Sequence, residues 1–260
     1  MYLELERDLE NVCDWFYSNR LSLNVSKTSF MLFAPTQMAV SLHTNSLKFG
    51  SNIINRVKSA KFLGALLDEK LIWSDHISHI KKKILKGSYI INNLKNILPM
   101  HTLKTLYYSL IHPFLTSGIM HWGSTFKYRL HQLEIVQKKV IRNICSMPYN
   151  SPSSTLFKKL NIPKLNDIYR IELGKFMYCY CQKTLPEPLM HFFSLNSDIH
   201  QYNTRYSNYP TISNYSKSVT SKSFISQGPK LWYSLPNQVI RTNSQNSFKY
   251  KLKQHFMENY

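Results

Sequence analysis

The sequence predicts an α+β fold that is mainly helical, with a small antiparallel sheet in the first 73 residues, then a helical bundle and further C-terminal helices. Three observations carry this. Before Ser74 the apolar residues come in short runs separated by Asn, Gly and Thr, whereas after Ser74 they recur with a helical period over long windows. The 260 residues are 43% hydrophobic, enough for one large core or two smaller ones. No run of about 18 apolar residues is present and no signal-peptide pattern opens the chain, so neither a membrane span nor secretion is expected.

The opening helix is marked by Leu5, Leu9, Val12 and Phe16 at helical spacing, with Glu4, Glu6 and Asp8 near the end of the dipole that favours acids. Asn19 and Asn24 break the pattern. Short strand candidates follow at Phe30 to Phe33, Val40 to His43, Leu47 to Phe49 and Phe62 to Leu67, with turn residues at Thr44-Asn45 and Gly50-Ser51-Asn52. From Ser74 or Asp75, either able to cap, a helix is expected with the stripe Ile77, Ile80, Ile84, Ile91, Leu94 and Leu98. Pro99 ends it. Leu103, Leu106, Tyr107, Leu110 and Ile111 define the next helix before Pro113, and Leu133, Val136, Val140 and Ile144 a third over about 130 to 145. Further helices are expected at about 154 to 160, 166 to 182 and 189 to 193, with a helical turn at 228 to 234 and a basic helix at 245 to 258. Residues 194 to 226, rich in Ser, Asn, Thr and Tyr, read as loop with at most short strands.

Charge points to a polyanionic partner. Lys plus Arg total 33 against 14 Asp plus Glu, a formal net charge of +19. No acid occurs between His76 and Leu133, a span holding Lys81, Lys82, Lys83, Lys86, Lys95, Lys104, Lys127 and Arg129; a second acid-free span runs from Ile199 to Met257. Five of the 14 acids fall within the first 14 residues, so the field is polarised along the chain. The four cysteines, Cys13, Cys145, Cys179 and Cys181, lack the C-x-x-C spacing of common zinc sites and read as free thiols in a reducing compartment.

The stretch from Trp15 through Asn19, Leu21, Leu23, Asn24 and Lys27 to Thr28 reads on its own as a helix end, a polar turn and a loop offering one lysine before an apolar strand. It resembles the late palm subdomain of reverse transcriptases from non-LTR retrotransposons, where a W-x-x-x-N-x-L-x-L-N-x-x-K-T-like signature follows the catalytic hairpin. The resemblance continues in order. Ala60 to Asp68 with Trp73 and His76 looks like the primer-grip hairpin and the approach to the thumb. Pro113 to Gly123, ending His121-Trp122-Gly123, looks like the thumb, and His200 to Arg205 and Gly228 to Pro236 resemble C-terminal motifs.

The resemblance implies a palm remnant over 1–73, a helical thumb over 74–147 and a basic C-terminal region over 148–260, in an intracellular protein of nucleus or cytoplasm. It implies RNA and RNA/DNA hybrid as partners, together with the N-terminal polymerase portion that the chain lacks. Lys27 matches a lysine that is a candidate accessory general acid near the leaving pyrophosphate in such enzymes, where a cation stabilises developing charge; by position alone it is a solvated loop lysine. Phe62, Leu63 and Gly64 match the hairpin that holds a primer end, although Gly64 could equally relieve packing against a neighbouring helix. Lys81, Lys82, Lys83 and Lys86 would contact phosphates if their helix faces the template and primer, and are otherwise a solvated face. Arg205 falls, with His200, in a matched motif whose chemistry the residues do not reveal. Tyr202, Tyr206, Tyr209 and Tyr215, interleaved with Arg205 and Lys217, could stack bases or anchor an irregular loop.

The family's two metal-binding carboxylates have no counterpart here. No Asp-Asp pair occurs, and the adjacent acids Asp68 and Glu69 would point to opposite faces of a strand or mark a turn. The expectation is therefore a C-terminal polymerase fragment that binds nucleic acid, is not an enzyme by itself and needs no cofactor, Mg²⁺ belonging only to the complete polymerase. The competing expectations are a helical protein-interaction module, or a decayed transposon-derived protein that retains no activity.

Overall fold

A computed structural model describes residues 2–33, 46–50, 52–199, 202, 204–213, 215, 218–242, 244–258 and 260. The strand expected at Val40 to His43 and the turn at Thr44-Asn45 lie outside them. The chain divides into two compact units, Met1–Asp75 and His76–Tyr260.

In the first unit, α1 (Tyr2–Ser18) is followed by a 3-10 turn at Val25–Lys27 and, among the described residues, by strands β1 (Ser29–Phe30), β2 (Ser46–Phe49), β3 (Asn52–Arg56), β4 (Ser59–Phe62) and β5 (Ala65–Asp68). They form a three-stranded sheet in the order β1-β3-β2 and a separate β4-β5 hairpin. β2 and β3 are antiparallel, Leu47 facing Ile54 and Phe49 facing Asn52, while the two residues of β1 run parallel to β3. β3 went unread because Asn52 follows turn-forming Gly50, whose φ is +57°. The strand at Phe30 is shorter than expected and stops before Phe33.

Among the described residues of this unit, Cys13, Leu47, Phe49 and Ile54 are buried, and Leu9, Phe16, Leu23 and Phe30 pack around the Cys13, Phe49 and Ile54 cluster. The α1 stripe is thus shifted from the expected one. Leu9 and Phe16 face inward with Cys13 between them, whereas Leu5 and Val12 are exposed. The β4-β5 hairpin corrects the single strand read over Phe62 to Leu67. Its ladder pairs Ser59 with Asp68 and Phe62 with Ala65, leaving Leu63 and Gly64 as a two-residue turn.

The second unit begins with α2 (Ser74–Leu94), whose first turn holds Asp75 at the positive end of the dipole. There follow α3 (Met100–Leu110), α4 (His112–Thr116), α5 (Ile119–Trp122) and α6 (Lys127–Ile144). Ile77, Ile84, Leu103, Tyr107, Ile111, Leu115, Trp122, Leu133 and Val140 are almost wholly removed from water, a core of the kind the periodicity predicted. Gly87 allows α2 to close on the start of α4, since a Cβ there would stand 2.9 Å from Ile111 Cγ1. Gln137 of α6 is buried with every polar atom engaged: its Nε2 donates to the Tyr107 hydroxyl at 2.9 Å and to the Pro163 carbonyl at 3.0 Å, and its Oε1 accepts from the Leu165 N–H at 2.9 Å.

The remaining helices are α7 (Ser154–Leu160), α8 (Leu165–Cys181), α9 (Glu187–Met190), α10 (Asn196–Ile199), α11 (Ser218–Ser221), α12 (Phe224–Ser234), α13 (Asn237–Ile240) and α14 (Gln245–Glu258). A second cluster forms where α8 meets α12 and α14. Met177, Tyr178, Trp232, Phe248, Leu252 and Phe256 are buried there, with Tyr178 stacked on Phe248 at 4.4 Å between centroids. Two glycines set these approaches, a Cβ on Gly174 falling 2.7 Å from Leu252 and one on Gly228 falling 2.5 Å from Met177 Sδ.

Three expectations are corrected here. The helix placed at 189 to 193 lies at Glu187–Met190, started by Pro188 in its first turn. The turn placed at 228 to 234 is the end of an 11-residue helix that carries Pro229 internally. The loop read over 194 to 226 contains α10, α11 and the start of α12, and its Leu195 pairs with Pro210 in an isolated bridge. Among the described residues, no sheet forms between positions 75 and 193, and no helix is long and apolar enough to cross a membrane.

Candidate nucleic-acid interface

The polar signature from Trp15 to Thr28 folds as a clamp. Asn19 Nδ2 donates to the Trp15 carbonyl at 2.8 Å and closes α1, and Arg20 turns the chain with φ +56°. The Asn24 side chain accepts from Ser26 Oγ at 2.7 Å, and its carbonyl accepts from the Lys27 N–H at 3.1 Å and from Thr28 Oγ1 at 2.9 Å. Leu23 goes to the core. Lys27 is left exposed and, among the described residues, is in no ion pair.

The β4-β5 turn displays its apolar residues. Leu63 has φ +46° and Gly64 φ +87°, both central residues being left-handed as in a type I′ turn. A Cβ on Gly64 would meet nothing within 4 Å, so this glycine serves backbone conformation and does not relieve packing against a helix. Leu63 is 88% exposed and Phe62 61%. A non-glycine residue in the left-handed region with its side chain in water gains nothing from packing, which leaves the tip available for contact.

Asp68 ends the hairpin and spends its carboxylate locally. Oδ1 accepts from the N–H of Lys70 at 3.2 Å and of Ile72 at 3.0 Å, and Oδ2 from the N–H of Trp73 at 2.8 Å. These bonds hold a loop in which Leu71 and Trp73 both have positive φ. Glu69 is paired with Arg56 at 3.0 Å. The pair therefore does not fit a two-metal site: one carboxylate is wrapped by backbone N–H groups and the other is neutralised. Among the described residues, no group of three His, Cys, Asp or Glu side chains converges as a metal site would need. Asp68→Ala should destabilise the protein by about 2 kcal/mol, since it strands backbone donors and releases the left-handed loop. Urea denaturation measures this, and a loss under about 0.5 kcal/mol would show the loop to be held by other means.

In the second unit, α2 presents Lys82, Lys83 and Lys86 to water together with Tyr89, and Lys81 is half-buried at their margin. The isoleucine stripe fixes this outward face. None of the four lysines is in an ion pair among the described residues. Arg205 lies elsewhere in the unit, its guanidinium stacked 4.8 Å from the Tyr206 ring centroid. His200 lies outside the described residues, as does Lys217.

The tyrosines near Arg205 divide. Tyr206 and Tyr209 pack on each other and on Tyr233 of α12. Asn196 of α10 ties the segment down, donating to the Tyr206 carbonyl at 2.8 Å and the Tyr233 hydroxyl at 2.7 Å. These two tyrosines anchor the loop, whereas Tyr202 is exposed. Burial pushes the Cys181 thiol up to about 12, which disfavours the thiolate a metal would need.

Sequence reasoning passed over one constellation. Phe126 and Arg129 at the start of α6 meet Lys222, which follows α11, and Tyr128 lies beside them. Nothing in the linear spacing connects residues so far apart.

Comparisons with known proteins follow the same direction. The chain is 25% identical over 177 residues to the RNA-directed DNA polymerase from mobile element jockey of Drosophila melanogaster, a match covering 66% of this chain and 19% of that protein. It is 24% identical over 161 residues to the probable RNA-directed DNA polymerase from transposon BS of the same species, covering 61% of the chain and 18% of the relative. The jockey polymerase of Drosophila funebris matches at 21% over 182 residues. The matched part of the chain thus spans about a fifth of the length of these curated relatives. No family model and no solved structure matches. Across most of its length, this chain is similar to part of the RNA-directed DNA polymerases of Drosophila non-LTR mobile elements.

Proposed function

We propose that the chain is a nucleic-acid-holding portion of a non-LTR reverse transcriptase, its first unit serving as late palm and its second as thumb and C-terminal region. It grips RNA and RNA/DNA hybrid and does not polymerise alone. The observation that carries this reading is the α2 face, where Lys82, Lys83 and Lys86 stand in water, in no ion pair among the described residues, while their helix is fixed from behind by Ile77, Ile80 and Ile84. Such a face positions phosphates without reading bases. Lys27 and the Phe62 to Gly64 tip are the corresponding elements of the first unit, and Arg205 is a further cationic contact.

Replacing Lys82, Lys83 and Lys86 with Gln should leave the helix content unchanged, because exposed surface changes cost within about 0.5 kcal/mol. Binding to an RNA/DNA hybrid should weaken, and each lost phosphate contact should reduce the salt slope by roughly 0.9. Fluorescence anisotropy at several salt concentrations measures this; an unchanged slope in a folded triple variant would reduce the face to solvated surface.

Catalysis is expected to require the rest of a polymerase. Asp68 and Glu69 are engaged as described, and two-metal nucleotidyl transfer needs carboxylates free to converge. Primer extension by the isolated chain with Mg²⁺ or Mn²⁺ should not exceed that of a heat-inactivated control, and extension above it would overturn this expectation.

A second reading is supported by α1. Leu5, Val12 and Trp15 are exposed and recur at heptad-like spacing on that helix, an apolar stripe suited to a protein partner. The remainder of the polymerase is the partner this reading would supply. Self-association or partner binding that is insensitive to salt would favour it over nucleic-acid contact.

A further inference from the structure

The start of α6 carries a compact aromatic and cationic cluster with no part in the reading above. Phe126 immediately precedes α6, and its carbonyl accepts from the Arg129 N–H at 2.9 Å. The Arg129 guanidinium carbon then lies 5.4 Å from the Phe126 ring centroid and 5.2 Å from that of Tyr128, and its Nε donates to the Tyr128 hydroxyl at 2.8 Å. The two rings are 5.8 Å apart and inclined at 33°. Lys222 arrives from the far end of the sequence with Nζ 3.0 Å from the Phe126 centroid. The Ser124 hydroxyl fixes it there by donating to the Lys222 carbonyl.

Two features give the cluster a ligand chemistry. The first is charge. Arg129 and Lys222 are held against the same ring, exposed Lys127 adjoins them, and the first turn of α6 contains no acid. Glu134, the next carboxylate along the helix, faces His131 at 3.4 Å. Burial and then the Arg129 charge hold the Lys222 ammonium below the ordinary lysine range, a repulsion that an anion would relieve. The second feature is the rings: Tyr128 is 68% exposed and Phe126 42%. Cations alone suit any phosphate. Cations beside an exposed aromatic face suit a nucleotide whose base is not already stacked within a duplex.

We infer that this cluster binds an unpaired nucleotide of single-stranded RNA or DNA, Tyr128 stacking on the base while Arg129 and Lys222 meet the adjoining phosphates. The inference rests on the nucleic-acid reading above and adds a place for a strand as distinct from a duplex.

The test uses the full chain and fluorescein-labelled oligouridine of about 12 nucleotides, a length within the range of single-strand sites. A strand of the same length with abasic positions and an RNA/DNA hybrid are compared with it. The chain should prefer the strand with bases over the abasic strand. Tyr128→Ala should abolish that preference with a loss of on the order of tenfold in affinity, the scale of one stacked base, and Tyr128→Phe should retain it. Arg129→Gln and Lys222→Gln should weaken both strands alike. The Lys82, Lys83 and Lys86 variant should keep the preference while its hybrid binding weakens. Equal affinity of the unaltered chain for strands with and without bases would overturn the inference, as would a folded Tyr128→Ala protein that still prefers bases. Equal retention of poly-glutamate would also overturn it, reducing the cluster to a general polyanion patch. Hybrid binding without strand binding would overturn this inference alone, whereas binding of neither would overturn the nucleic-acid reading with it.

Discussion

Replacing Gln137 with Leu should cost about 3 kcal/mol, the largest loss expected from any single change described above. The side chain links three segments: α6, which bears it, α3 through the Tyr107 hydroxyl, and the turn into α8 through the Pro163 carbonyl and the Leu165 N–H. Leucine fills similar space but leaves three buried polar groups without this partner, and each stranded group carries a desolvation penalty of about 1–3 kcal/mol, partly recovered by relaxation. Tyr107 lies wholly inside, and burial holds its phenol well above the usual range, so its hydroxyl stays a neutral partner at every ordinary pH. Tyr107→Phe, which removes one of the three bonds, should cost about 1 kcal/mol. Chemical denaturation of the two variants gives the comparison. A Gln137→Leu loss below about 1 kcal/mol would mean that the segments are held together by apolar packing alone.

Gly123→Ala should lower Tm by about 4–8 °C, corresponding to roughly 2 kcal/mol of overpacking. The backbone conformation there, φ −69°, is open to any residue, so the requirement for glycine is steric. A Cβ would stand 2.5 Å from the Ile119 carbonyl oxygen and 2.6 Å from Tyr169 Cδ2. The oxygen belongs to the backbone and cannot turn aside, and Tyr169 is itself buried. The preceding Trp122 is completely enclosed, its indole N–H donating to the Ser117 carbonyl at 2.9 Å. The Trp-Gly pair of the thumb-like motif is thus a packing device joining α5 to α8. Thermal melts of the alanine variant decide the point, and an unchanged Tm would show that α8 can shift to admit a methyl group.

Which parts of this were legible in the residues follows from how locally each was determined. The helices Ser154–Leu160, Leu165–Cys181 and Gln245–Glu258 were readable nearly to the residue because proline or polar residues mark their ends. β3 was hidden, since Asn52 was read with Gly50 and Ser51 as a turn, and only pairing with β2 makes the segment a strand. Gly228-Pro229 looked like the start of a turn, yet the glycine is there to admit Met177, a reason that resides on another helix. The same holds for the candidate sites. Exposure of Lys82, Lys83 and Lys86 followed from the isoleucine stripe on their own helix, and the open Gly64 turn from two residues. The grouping of Lys222 with Phe126 depends on tertiary packing that no spacing encodes.

The packing of α14 on α8 sets the order in which the second unit can be completed. Tyr178 and Trp232 precede Phe248, Leu252 and Phe256 along the chain, yet all five close the same cluster. Closing so long a loop costs entropy before any burial repays it, so these contacts belong to late, slow steps of folding. During synthesis, α8 and α12 emerge before α14, and the part of their apolar surface that Phe248, Leu252 and Phe256 cover stays open until that helix follows. An aggregation hazard is expected in that interval.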